Sequence, residues 1–273
     1  MNPELQRLLA ISAVEPVAGG CIHDCYRVTI GRTAGRTARF IKTNEPRYGD
    51  AFAAEAEGLA ALRAAGMRAP EPLSHGVAAG RAYLVLEFLD LGGRRDFATL
   101  GRMLAAAHRQ SGPRFGWGRD NYIGSTPQPN GWCEDWAQFW IERRIGPQIE
   151  LAKRNGFDIP TPSMKILEHH ETEPSLLHGD LWSGNAGFTP QGPVVFDPAV
   201  YYGDREADLA MTELFGGFPR EFYRAYNGAW PLEEGYERRK HLYNLYHLLN
   251  HLNLFGGGYL AQVMATLQLL ASG

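Results

Sequence analysis

Cysteine is scarce: 273 residues contain three, Cys21, Cys25 and Cys133. An odd count with one C-x3-C pair excludes a disulfide framework and leaves no second pair to complete a zinc site. Reduced thiols are expected. No apolar run approaches the ~20 residues of a membrane-spanning helix. The opening Met1-Asn2-Pro3-Glu4 lacks a basic stretch followed by an apolar one, so no secretory signal is read there. Excess charge is missing as well. Lys and Arg total 27 against 30 Asp and Glu, a net charge of -3, too balanced for a surface built to hold nucleic acid or an anionic membrane. No repeat or low-complexity linker is present. A cytoplasmic globular protein without nucleic-acid or membrane partners is expected, with its oligomeric state left open.

What is there divides in two. The first ninety residues read as mainly β with one helix. Tyr26–Ile30 and Arg39–Thr43 look like strands either side of a Gly31–Gly35 turn. Ala51–Ala65 is rich in Ala, Glu and Leu and stops at Gly66, as a strong helix does. Ala82–Phe88 is a short apolar run that reads as a buried strand. After Gly93 the pattern turns helical: Asp96–Arg109 with an Asp N-cap, then a Gly-, Pro- and Asn-rich loop over 111–131, helices near 133–154 and 162–170, a β-rich patch over Leu176–Phe196, and helices from about Asp204. The expectation is a bilobal α+β fold, a small β-rich lobe over 1–90 and a larger helical lobe over 91–273, hinged near 87–93.

The chemistry is concentrated in Leu176-Leu177-His178-Gly179-Asp180-Leu181-Trp182-Ser183-Gly184-Asn185, followed by Val194-Val195-Phe196-Asp197-Pro198. Asp180 and Asn185 stand five apart, the interval of the kinase catalytic loop H-R-D-x-x-x-x-N. Asp197 ends an apolar strand twelve residues later, where the metal-binding Asp of kinases sits. Phosphoryl transfer needs an acceptor for the attacking hydroxyl's proton and hard oxygen ligands for Mg2+ on the phosphates. Asp180 is read as the base, Asn185 and Asp197 as metal ligands, and His178 as a brace for the loop. An H-G-D turn alone is ordinary; three spaced elements, each led by an apolar strand, are not.

The first lobe supplies matching parts. Lys42 lies in Phe40-Ile41-Lys42, the setting of the kinase strand lysine that contacts the α- and β-phosphates. Glu55 on the next helix is its expected partner; Glu57 is ~200° further round the helix, so both cannot face it. Gly19-Gly20 precede the first hairpin, where a glycine-rich turn lets backbone N–H groups approach phosphate. Glu87-Phe88-Leu89 ends the last strand of this lobe, with backbone groups placed for an adenine edge. Each of these alone is weak: a strand lysine is usually solvated, and Gly-Gly pairs are common turns. His247 and His251, four apart on a helix, lack the Glu of the zincin pattern, and His169-His170 lack a third ligand. Both pairs are read as packing or surface residues and a zinc enzyme is rejected. Trp182, between base and metal ligand, is read either as an acceptor contact or as packing under the loop. Cys21, directly after Gly19-Gly20, is either a redox-sensitive thiol, favoured by positive potential from Lys42 and bound Mg2+, or inert turn filling.

The pattern H-G-D-L-W-S-G-N, then V-V-F-D-P-A-V-Y-Y-G-D-R-E-A-D-L-A-M and L-F-G-G-F, resembles the fructosamine kinase (ketosamine 3-kinase) family, which is related to the aminoglycoside and choline kinases. F-I-K-T-N at 40–44, the Glu55 helix, the segment 87–89 and E-D-W-A-Q-F-W at 134–140 extend the resemblance along nearly the whole chain. The broader superfamily commonly carries His-Pro where this chain has Trp182-Ser183. The resemblance implies a protein-kinase-like fold and ATP-dependent phosphorylation of the 3-hydroxyl of a ketosamine, the sugar–amine adduct, whose 3-phosphate decomposes to release the amine. The expected partners are therefore ATP with Mg2+ and a free or protein-linked ketosamine. Gly19-Gly20-Cys21-Ile22-His23-Asp24-Cys25 departs from the pattern in having no third glycine. The alternatives are another small-molecule kinase of this superfamily, acting on aminoglycoside, choline or homoserine hydroxyls, or a nucleotide-binding pseudokinase. The latter would have lost Lys42, Asp180, Asn185 or Asp197, and all four are present.

Overall fold

A computed structural model describes residues 1–17, 22–31 and 37–271. The chain starts with α1 (Pro3–Leu8), whose first turn is capped by the Asn2 carboxamide oxygen accepting from the Glu4 and Leu5 amides. Then follow β1 (Ile11–Pro16), β2 (Asp24–Ile30), β3 (Thr37–Asn44), α2 (Gly49–Ala64), β4 (Pro72–Ala78) and β5 (Arg81–Glu87). The five strands form one antiparallel sheet in the order β1-β2-β3-β5-β4. β3 is central, pairing with β2 on one side and β5 on the other. Central position explains why Ile41, Lys42 and Thr43 are buried while the edge strands β1 and β4 are largely exposed. The described residues thus put Lys42 in the buried half of the sheet's central strand.

The remaining chain is mainly helical: α3 (Phe97–His108), the short hairpin β6 (Asn121–Ile123) and β7 (Thr126–Gln128), α4 (Trp136–Trp140), α5 (Gly146–Arg154), β8 (Ser175–Leu177), β9 (Ala186–Thr189), β10 (Gly192–Val195), β11 (Tyr201–Gly203), α6 (Glu206–Leu214), α7 (Arg220–Ala229), α8 (Tyr236–Phe255) and α9 (Leu260–Ala271). Two cores hold it. One is helical, with Phe139, Trp140, Tyr243, Leu245 and Leu249 at its centre. The other joins both halves: Phe52, Leu59 and Leu62 of α2 and Leu84 and Leu86 of β5 pack with Leu100, Leu104, Leu176 and Val195. Removing these side chains from water is the main drive for the two halves to meet. The architecture is the expected bilobal α+β arrangement. Among the described residues no helix is long and apolar enough to cross a membrane.

Three expectations change. The helix over 162–170 is a single 3-10 turn, Lys165–Leu167, flanked by irregular chain. Seven to nine residues form a helix only when tertiary burial supports it, and here Leu167 alone of that turn is buried. The 111–131 loop contains the β6–β7 hairpin. The helix over 133–154 starts at Trp136, capped by the Asp135 carboxylate, and widens into a π-turn at Ile141–Ile145. Pro147 has no N–H to give the Arg143 carbonyl four residues back, and the Arg144 guanidinium donates to that carbonyl instead.

Candidate active site

β8 pairs antiparallel with β11, and the loop leaving β8 turns sharply at Gly179, φ +81°. A side chain there would stand 2.0 Å from the Ala199 carbonyl oxygen, so only glycine allows so close an approach. The turn is held from below by Asp208 of α6, whose buried carboxylate accepts from the His178 and Gly179 amides at 2.7 and 2.8 Å and from His108 Nε2 at 3.1 Å. His178 braces the loop as expected. Its Nε2–H donates to the Phe196 carbonyl at 3.1 Å and its Nδ1 accepts from the Asp180 amide at 3.3 Å. Burial keeps that imidazole below its ordinary pKa, which suits a neutral ring with this division of roles.

Asp180 emerges from the braced loop. Asn185 donates from Nδ2 to the Asp180 carbonyl at 2.9 Å and to its Oδ2 at 3.1 Å. Burial, with the negative charge of Asp197 adding to it, pushes the Asp180 carboxyl up to about 7 against the opposing Asn185 bond. A carboxyl that titrates there exchanges a proton readily at neutral pH.

Asp197 follows β10 with φ +56°, in the left-handed region, a conformation that costs a non-glycine residue on the order of 1 kcal/mol or more. Its Oδ1 accepts from Lys42 Nζ at 2.6 Å, while Glu55 Oε1 accepts from the same ammonium at 2.8 Å. Burial alone would lower the Lys42 pKa, but the two carboxylates outweigh it and raise it above the usual lysine value. Neighbouring protein partly desolvates the half-exposed Asp197 and so opposes its ionisation, yet the charge and hydrogen bond of Lys42 hold that carboxyl below the ordinary carboxylate range. Glu55, not Glu57, meets the lysine. Among the described residues Asp197 Oδ2 and Asn185 Oδ1 have no protein partner, two hard oxygen atoms at one cleft.

Lys42, Glu55, Asp180, Trp182, Asn185 and Asp197 all line that cleft, of about 270 Å³. Trp182 is partly exposed, its ring lying over Gly184 and edge-on to Phe215 at 6.3 Å. Glu87, Phe88 and Leu89 are not among the lining residues. Glu87 ends β5, where its amide donates to the Glu71 carbonyl, and the Phe88 ring faces the Arg27 guanidinium. Gly19, Gly20 and Cys21 lie outside the described residues.

Several lining residues escaped the sequence reading. His23 stands beside Lys42; burial, with the charge of Lys42, lowers its pKa to about 4, so it is neutral. Cys25 also lines the cleft, its thiol pushed up to about 11 by burial. Asn121, Tyr122 and Ile123 come from the unforeseen hairpin. His251, read as packing or surface, lines the cleft with Asn250 and Phe255; its ring meets Phe215 at 4.5 Å. His247 is buried packing, as expected. His170, read as surface, instead bonds the buried Asp204 at 2.7 Å. With Glu206 these form the one His and carboxylate group close enough to hold a metal among the described residues. Its oxygens are already engaged: both of Glu206 with Arg239, and Asp204 Oδ2 also with Tyr243.

The model of the fructosamine kinase family matches residues 1–272. A probable ketoamine kinase of Synechocystis is 48% identical over 263 residues, covering 92% of this chain and 88% of the relative. The chloroplastic protein-ribulosamine 3-kinase of Arabidopsis thaliana is 40% identical over 272 residues, covering 93% and 81%. A Haemophilus somnus crystal structure described as a fructosamine-3-kinase superposes with a TM-score of 0.88 at 30% identity, covering 98% of this chain and 96% of the other. An aminoglycoside phosphotransferase of Streptomyces rimosus, solved with ADP and streptomycin, shares the fold at a TM-score of 0.53 and 18% identity, covering 92% and 96%.

Proposed function

The chain belongs to the fructosamine kinase family, and we propose that it transfers the γ-phosphoryl group of ATP to the 3-hydroxyl of ketosamines of the fructosamine or ribulosamine type, in deglycation of amines or proteins. One observation carries the reading: Lys42, Asp180, Asn185 and Asp197 converge on a single cleft from positions as far as 155 residues apart.

In this reading Asp180 accepts the proton of the 3-hydroxyl as that oxygen attacks the γ-phosphorus. The Asn185 bond to Asp180 fixes the carboxylate's direction. Lys42, held by Glu55, binds phosphate oxygens, together with the Gly19-Gly20 backbone. The backbone at Glu87, Phe88 and Leu89 is assigned to adenine, which makes 1–90 the nucleotide lobe and 91–273 the catalytic and acceptor lobe. Asn185 Oδ1 and Asp197 Oδ2 fit Mg2+, a hard cation that takes one or two protein oxygens beside phosphate and water. When bound, that ion neutralises charge on the phosphates. Trp182 faces the acceptor, where an aromatic surface suits a sugar ring and a protonated amine. The two described cysteines, Cys25 and Cys133, are unbridged, which fits a cytoplasmic setting. Incubating the chain with Mg-ATP and a ribulosamine, and following the sugar phosphate by 31P NMR, tests the reading. A product phosphorylated at another hydroxyl, or none, would refute it.

A further inference from the structure

Glu57, the rejected partner for Lys42, is engaged elsewhere. Asp50 and Glu57 are seven apart on α2, close to one face, with Glu55 turned well away from both. Arg119 reaches that shared face from the loop before β6. Its Nη2 donates to Asp50 Oδ1 and its Nη1 lies 3.9 Å from Glu57 Oε2. Trp117 Nε1 donates to Glu57 Oε1 at 2.9 Å, and the Tyr122 hydroxyl donates to Asp50 Oδ2 at 3.2 Å. The loop has its own anchor: Asn130 Nδ2 donates to the Arg119 carbonyl and the Asn130 amide to Asp120, while the fully buried Arg144 donates to Asn130 Oδ1 at 2.7 Å. α2 is thus gripped on two sides, by Lys42 through Glu55 and by this loop through Asp50 and Glu57.

We propose that Arg119 is a positioning residue for the phosphoryl-donor site: by spanning Asp50 and Glu57 it fixes the rotation and height of α2 at which Glu55 meets Lys42. A single exposed ion pair does little, but here one planar guanidinium bridges two carboxylates two helical turns apart, with an indole and a phenol bonding the same pair. Lysine has one point charge and cannot span them. Among the described residues, the side-chain bonds of Asp50, Glu57 and Arg119 run to one another and to Trp117, Asp120 and Tyr122, and not to the loop after β8 or to α8, which line the acceptor side of the cleft.

The proposal rests on the assignment of Lys42 and Glu55 to ATP, and a double-mutant cycle separates the two. Arg119→Ala is expected to lower kcat/KM for ATP about fivefold with the acceptor KM unchanged. In a Glu55→Gln background, itself impaired toward ATP, adding Arg119→Ala should change kcat/KM for ATP by less than about twofold, because its effect runs through Glu55. Arg119→Lys, run through the same cycle, gives the answer should the alanine variant fold poorly. Equal losses in both backgrounds, or a lowered Tm with unchanged ATP kinetics, would overturn the positioning role. A Glu55→Gln enzyme with unchanged kcat/KM for ATP would overturn the donor-site assignment and this proposal with it.

Discussion

Lys42 Nζ lies 2.6 Å from Oδ1 of Asp197, a residue held with φ +56°. The ion pair ties the central strand of the sheet to the end of β10 and offsets the strain of a left-handed aspartate. It leaves Oδ2 of Asp197 free of protein partners among the described residues and pointing chemistry toward a cation.

Asp197→Ala should therefore weaken nucleotide binding chiefly when Mg2+ is present. ATP titrations of the variant with and without Mg2+ are expected to give similar affinities, whereas the wild type binds more tightly with the ion. A variant that keeps the wild-type response to Mg2+ would remove Asp197 from the ligand set.

Replacing Asp180 by Asn keeps the shape and the Asn185 contact region but removes the proton acceptor. Turnover should fall by ~10²-fold or more with ATP affinity preserved. Near-normal turnover would end the assignment of Asp180 as base.

The raised Asp180 pKa fixes the sign of two pH effects. As a base, Asp180 works when unprotonated, so kcat/KM for the acceptor should rise with pH and level off above about 7. For stability the sign is opposite. A carboxyl whose folded pKa exceeds its unfolded one contributes fully below the unfolded value, near 4, and loses that contribution as pH climbs to about 7. Asp180→Asn should then match the wild type in Tm near pH 4 and exceed it near pH 8. A variant no more stable than wild type at pH 8 would contradict the burial argument.

Trp182→Ala should raise KM for the acceptor more than KM for ATP, because its partly exposed ring lines the cleft and stands edge-on to Phe215. Equal rises in both constants would favour a packing role.

Much of the site was legible because its parts are local in sequence. Asp180, Asn185 and Asp197 fall within eighteen residues whose strands alternate with obligate turns. Lys42 and Glu55 could be paired from the kinase strand-lysine setting and the helix that follows it, the helix angle adding only that Glu55 and Glu57 cannot both face the lysine. Asp208 was not singled out for the loop because nothing in its neighbourhood says that a helix N-terminal turn will sit under His178 and Gly179. His251 read as packing or surface on α8, since only the tertiary approach of that helix's end to the catalytic loop makes it and Phe255 cleft residues. The hairpin at 121–128 was hidden by its brevity, three residues a strand. Residues 162–170 misled in the other direction: acceptable helix formers without enough burial to fold them.

Substrate identity is the centre of the account, and a competition assay reaches it most directly. With Mg-ATP at saturation, kcat/KM is measured for a fructosamine, a ribulosamine, choline, homoserine and an aminoglycoside, with 31P NMR locating the new phosphate. The account predicts that a ketosamine is used at least ~100-fold better than any of the other three, with phosphate on its 3-oxygen, since a site shaped for one acceptor's hydrogen bonds rejects those lacking them. Preferential phosphorylation of choline, homoserine or the aminoglycoside, or a ketosamine product carrying phosphate elsewhere, would contradict it.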